Sequence, residues 1–135
     1  MAIEWTDDLK TGDFIIDSEH KRLLKAANDL VDACSKGKGR DELVRATDFL
    51  SYYTKTHFSH EEELMEKNAY PEKESKLHKE WHKGYISEIE ELSAKLKNEG
   101  PTVVIMAEVN NKLSILLTHI RTLDLKLAKY IQEKK

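Results

Sequence analysis

His57 and Glu61 stand four residues apart, and so do His78 and His82. On a helix that spacing leaves about 40° between the two side chains, so each pair can hold one metal ion. Two such pairs on neighbouring helices suggest a site between helices. His20 upstream, with His119 and Asp124 downstream, would complete it. Of the six histidines in the chain, only His60 lies outside this set. The others sit at core-facing positions of apolar helical stripes. A lone carboxylate in such a stripe is costly to bury unless something positive neutralises it, and a pair of metal ions would do so.

The donor types narrow the metal. Five neutral imidazoles and two carboxylates exceed what one tetrahedral zinc can use, but they suit two ions of higher coordination number bridged by the acids. Iron or manganese fits, with iron favoured by the imidazole-rich set. No Glu-x-x-His pair occurs in the sequence, which argues against a ferroxidase site of the ferritin-like kind. Two ferrous ions carry more positive charge than two carboxylates cancel. High-valent iron is then poorly stabilised, and reversible uptake of oxygen is favoured over its cleavage.

These residues need helices to position them. Apolar and acidic residues alternate around Gly12, so residues 1 to about 17 read as an extended arm, pinned by Trp5, Phe14, Ile15 and Ile16. Asp17 or Ser18 is a candidate cap for the first helix. Periodicity and stop signals predict helices over about 18–36, 40–68, 71–98, 102–119 and 122–133. The first carries Leu23, Leu24, Ala27, Leu30, Val31 and Cys34 on one face; Gly37-Lys38-Gly39 ends it. The second stops before Tyr70-Pro71, and the third turns Leu77, His78, Trp81, His82, Tyr85 and Ile89 inward. The fourth runs from Val103 to His119. His119 and Asp124 are about 140° apart on a regular helix, so an irregularity is predicted near Ile120 to Leu123, followed by a short last helix. The fold expected is all-α, an up-down-up-down four-helix bundle and a single domain.

Composition agrees and excludes other classes. The chain has 135 residues, 22 basic and 25 acidic side chains, a net charge of −3, five glycines and two prolines. A near-neutral balance argues against a nucleic-acid surface, and so little Gly and Pro argues against a sheet. The first residues lack the order of a secretion signal. No apolar run approaches the roughly 20 residues that span a bilayer, so no membrane partner is expected. The single cysteine, Cys34, cannot form an internal disulfide, which fits a reducing, cytoplasmic setting.

The ligand spacing resembles that of the hemerythrin family. Trp5, Gly12, Ile16-Asp17, Glu19-His20-Lys21, His57-Phe58, Glu61-Glu62, Tyr70-Pro71 and His119-Ile120 are similar to the single-domain bacterial members, and the resemblance covers essentially the whole chain. It implies two iron ions with an oxo or hydroxo bridge. His78, His82 and His119 would hold one iron, His20 and His57 the other, with Glu61 and Asp124 bridging. Dioxygen would bind reversibly at the open position of the second iron, as hydroperoxide, in a carrier and not a catalyst. By analogy the oxygen pocket would be lined by Leu23, Phe58, Ile115, Leu116 and Ile120, which also read as ordinary core.

Some residues depart from the pattern or stand outside it. Trp81 occupies a position that is commonly acidic, and Tyr85 one where Phe is expected; its hydroxyl could reach a bound ligand or, as favoured here, the surface. His60 reads as a boundary residue, Cys34 as packing, and the charged runs at 61–63, 88–91 and 131–135 as solvated helix surface. Three other functions remain open: an oxygen or redox sensor acting through a partner, a di-iron enzyme acting on peroxide or nitric oxide, and a bundle holding structural zinc.

Overall fold

The computed structural model describes residues 4–133. The start of the arm and Lys134 and Lys135 of the last charged run lie outside the described residues. Four long helices, α1 (Phe14–Ser35), α2 (Arg40–Lys67), α3 (Glu72–Glu99) and α4 (Val103–His119), form an antiparallel bundle. A π-helical turn, Ile120–Asp124, joins α4 to a short α5, Leu125–Glu133. The helices close a ring in which α1 contacts α2 and α4, and α3 contacts α2 and α4. No strand occurs among the described residues.

The arm is shorter than the sequence suggested. Asp13, not Asp17 or Ser18, caps α1, its side chain accepting from the Ile16 N–H at 3.0 Å. Asp17 is already inside the helix and buried, and it accepts from the Thr11 N–H and hydroxyl at 2.8 and 2.7 Å. That clasp folds the arm back, and Gln132 of α5 holds its other side by donating to the Thr11 carbonyl at 3.0 Å. Gly12 fits between them with φ +92°, where a Cβ would come within 2.6 Å of the Gln132 side chain. Starting the helix early turns Phe14 and Ile15 to solvent, at 85% and 64% exposure, so among the described residues Leu9, Ile16 and half-buried Trp5 are the apolar anchors of this end.

The core runs the length of the bundle through Leu23, Leu30, Leu43, Phe58, Ile89, Leu96, Ile105, Leu116 and Ile120. Cys34 packs within it. Leu77, expected inward, and Val103 at the start of α4 are both exposed; Leu77 lies about 100° around α3 from His78. Thr47 and Thr54 sit in the core because each hydroxyl bonds the carbonyl four residues back, at 2.8 and 2.7 Å. A second apolar cluster of Met65, Tyr70, Leu127 and Ile131 lets α5 close the end nearest the π-turn. There α2 stops in a Schellman turn, with Ala69 at φ 52° and the Tyr70 N–H reaching the Met65 carbonyl at 2.9 Å.

By length and composition alone the helical stretch Val103–Glu133 would be long and apolar enough to cross a bilayer, a test that the core helix of a bundle also passes. In this fold it carries His119 and Asp124 into the bundle interior.

Candidate metal centre

Each helix delivers its ligand candidates because the apolar stripe that packs the bundle continues through them. His20 comes from α1, His57 and Glu61 from α2, His78 and His82 from α3, His119 from the last residue of α4 and Asp124 from the π-turn. All seven are buried. The π-turn solves the register problem, since the Leu125 N–H bonds Ile120 five residues back. One extra residue per turn brings His119 and Asp124 to one face, and their side chains meet at 2.8 Å.

The Nε2 atoms converge on the two carboxylates. His20 approaches Asp124 at 2.8 Å, His78 approaches it at 2.9 Å, and His82 lies 3.1 Å from Glu61. His57 Nε2 is 3.5 Å from Glu61 and 3.8 Å from Asp124 and makes no hydrogen bond. The donor atoms fall into two overlapping groups: Glu61, His78, His82, His119 and Asp124 in one, and His20, His57, Glu61 and Asp124 in the other. Within each group the donor atoms lie no more than 4.8 Å apart, and the two carboxylates belong to both.

The cluster is electrically incomplete as protein alone. His57 Nε2 and Glu61 Oε2 are buried without partners, the kind of orphan that a cation would satisfy. Burial, and next the nearby charge of Asp124, push the Glu61 carboxyl well above the ordinary carboxylate range. Burial acts the same way on Asp124, but the charge of His119 and the hydrogen bonds from His119 and His20 outweigh it and hold Asp124 well below that range. Burial, then the neighbouring His78 and His119, push His82 down to about 2. Burial also lowers His20 and His119. For His57 the carboxylates of Asp124 and Glu19 overcome burial and lift it above the usual imidazole value. A divalent cation needs neutral imidazoles and ionised carboxylates as ligands, so an ion entering this cluster would displace the proton that burial favours on Glu61.

A second layer was not legible as such in the sequence. Glu19 accepts from His57 Nδ1 at 3.0 Å and, through its other oxygen, from His60. Burial would raise Glu19, yet these two histidines hold it below its ordinary value. Glu62 accepts from His82 Nδ1 at 2.9 Å, so the 61–63 run is not simply solvated surface. His60 itself is exposed, consistent with a boundary position. Glu19 and Glu62 each stand next to a ligand candidate in sequence, which is the one signal that could have singled them out.

Aromatic rings hold the imidazoles flat. Phe58 stacks on His82 with centroids 3.8 Å apart, and Trp81 stacks on His119 at 3.6 Å. The tryptophan in place of an acid therefore supports a ligand candidate from outside. Tyr85 does not reach the surface: it is 3% exposed and its hydroxyl donates to the Lys112 carbonyl at 2.8 Å. Phe58 also lies against His57 and His119, and Leu23, Leu116 and Ile120 are buried within about a turn of His20 or His119 along their helices. Ile115 is only half-buried and lines a shallow outer cleft with Trp81, Ser114 and Thr118, because it lies about 100° around α4 from Leu116.

The family model described as the Hemerythrin HHE cation binding domain matches residues 11–131. The bacteriohemerythrin of Pseudomonas aeruginosa (strain LESB58) is 39% identical over 87 residues, which cover 64% of this chain and 55% of that protein. That of Stenotrophomonas maltophilia (strain R551-3) is 34% identical over the same length. The match thus spans about half the length of these bacterial relatives. The myohemerythrin of Theromyzon tessulatum is 26% identical over 123 residues, 91% of this chain and 88% of that protein. A family match over nearly the whole bundle, joined to a buried His/Glu/Asp cluster with donors for two ions, places this chain in the hemerythrin family.

Proposed function

We propose that the protein binds dioxygen reversibly at two iron ions held by His20, His57, Glu61, His78, His82, His119 and Asp124, with an oxo or hydroxo bridge between them. The observation that carries this reading is the inequality of the two donor groups. Both contain Glu61 and Asp124, but one adds three imidazoles and the other two. The position served by His20 and His57 has one imidazole fewer, and that is where an ion would be left to take a small exogenous molecule as a further ligand. A pair of ferrous ions, when bound, supplies the two electrons needed to hold dioxygen in reduced form and takes them back on release.

The protein's part is to hold and to exclude. Glu61 and Asp124 carry the negative charge for both positions. Leu23, Phe58, Leu116 and Ile120 keep water away from the cluster, which slows loss of electrons to solvent. The Tyr85 hydroxyl is committed to a backbone carbonyl, so it is not poised as a proton donor. That arrangement favours a carrier or store over an enzyme acting on peroxide or nitric oxide, which would need an acid or base beside its substrate.

The test is iron content per chain together with the visible spectrum of the reduced protein, first in air and then under vacuum. Two irons and a charge-transfer band that appears with oxygen and fades on its removal are expected. Two irons with an irreversible change would move the assignment to sensor or enzyme. A bundle that takes zinc in preference to iron would sink it.

A further inference from the structure

The five imidazoles of the cluster are not equivalent on their outer side. His57 Nδ1 faces Glu19 at 3.0 Å and His82 Nδ1 faces Glu62 at 2.9 Å. The Nδ1 atoms of His20, His78 and His119 are buried with no partner among the described residues. A carboxylate can only accept, so the nitrogen facing it carries the hydrogen, and in a neutral ring the opposite nitrogen is then bare. Glu19 and Glu62 thus hold a hydrogen on Nδ1 of His57 and His82 and aim Nε2 of each ring into the cluster, where His82 Nε2 lies 3.1 Å from Glu61. His57 Nε2 makes no hydrogen bond, so nothing within the cluster competes for it. The other three rings instead turn Nε2 towards Asp124 at 2.8 to 2.9 Å. Asp124 is an acceptor, so a nitrogen that donates to it carries the hydrogen, which must leave Nε2 before a metal can bind there.

The two fixed rings belong to different donor groups: His57 to the group with His20, and His82 to the group with His78 and His119. We propose that Glu19 and Glu62 are positioning residues, one for each metal position, each presetting a single imidazole as the first ligand its ion meets. The inference rests on the two-metal reading given above. Glu19 is the more firmly held of the two. Its second oxygen is tied to His60, whereas Glu62 reaches His82 from a more exposed side chain. His60 therefore acts on the His57 position through Glu19, without being a ligand.

The experiment is anaerobic titration of the metal-free chain with Co(II) against a competing chelator, for wild type and for Glu19→Ala, Glu62→Ala, both Gln variants and His60→Ala. Wild type should take up two ions in resolvable steps. Glu19→Ala should weaken one step by about 10–100-fold and Glu62→Ala the other, with the Gln variants, which keep a neutral acceptor, falling between. His60→Ala should weaken the same step as Glu19→Ala, by less. In the metal-free protein, nitrogen NMR should show Nδ1–H tautomers for His57 and His82 in wild type, lost in the respective Ala variant while circular dichroism stays unchanged. Variants that bind both ions as tightly as wild type would overturn the proposal, and so would Glu19→Ala and Glu62→Ala weakening the same step. Wild type that takes up fewer than two ions would overturn the two-metal reading itself and the inference with it.

Discussion

Glu61 and Asp124 are both fully buried in one cluster, yet their carboxyls shift in opposite directions. The difference lies in what each touches. Asp124 receives His20, His78 and His119 at 2.8 to 2.9 Å, enough to keep it ionised. Glu61 has only His82 at 3.1 Å and one oxygen with no partner, so burial goes largely unopposed and its carboxyl holds the proton to higher pH than an exposed glutamate does. A group raised above its ordinary value of 4.5 stabilises the fold fully below that value and loses this contribution as pH rises through its folded value. Glu61→Gln removes the titration. The metal-free variant should therefore lose less Tm than wild type between about pH 5 and about pH 8, read by thermal melts. Equal losses in the two proteins would count against a protonated Glu61. The same variant should hold fewer than two irons, because one of the two carboxylates common to both donor groups has gone.

The critical element is the π-turn at Ile120–Asp124. It stores no function of its own, but it sets the angle between His119 and everything after it. The Arg121 side chain donates to Asp8 at 2.7 Å, so the arm braces the turn from outside. Inserting one alanine between Arg121 and Thr122 would rotate Asp124 by about 100°. Iron per chain should then fall from two to less than one, while far-UV circular dichroism remains that of a helical bundle. Retention of both irons would show that the turn can absorb another residue and that its register is not what delivers Asp124.

For the molecule as a whole, the buried polar cluster is a cost that the metals offset. Hydrophobic packing is concentrated in the main core and in the small cluster under α5, and between them lies a layer of imidazoles and carboxylates with several orphaned atoms. Anything that binds only the folded state stabilises it by mass action, about 4 kcal/mol at a thousandfold excess over Kd. For a chain of this size that corresponds to a Tm roughly 10 °C lower after chelation than in the iron-loaded protein. Hydrogen exchange should rise first around the π-turn and the His57–Glu61 turn of α2, and last along α2 and α3 at the far end. Uniform loss of protection would mean that the metals do not hold that end in particular.

Helix number, the two i,i+4 ligand pairs and the need for a break after His119 follow from spacing alone, because helical geometry turns a sequence interval into an angle. The same rule located the core, with the exceptions of Leu77, Val103, Phe14 and Ile15, whose positions depend on where a helix starts and how wide its buried face is. The start of α1 was decided by tertiary contacts. Asp13 and Asp17 are equally good caps by type, and only the clasp of Asp17 on Thr11 and Gly12 settles which one serves. Tyr85 and Trp81 were ambiguous for a similar reason: a hydroxyl finds a carbonyl, and an indole a ring, only when a neighbouring helix brings them. The carboxylates of Glu19 and Glu62 were hidden in charged stretches that look solvated along the chain. Local periodicity, a property of one helix, fixed which residues face inward. How each imidazole nitrogen faces a carboxylate, which carboxyl burial pushes up and how the donors divide into two groups are properties of the gaps between helices, and only packing determines those.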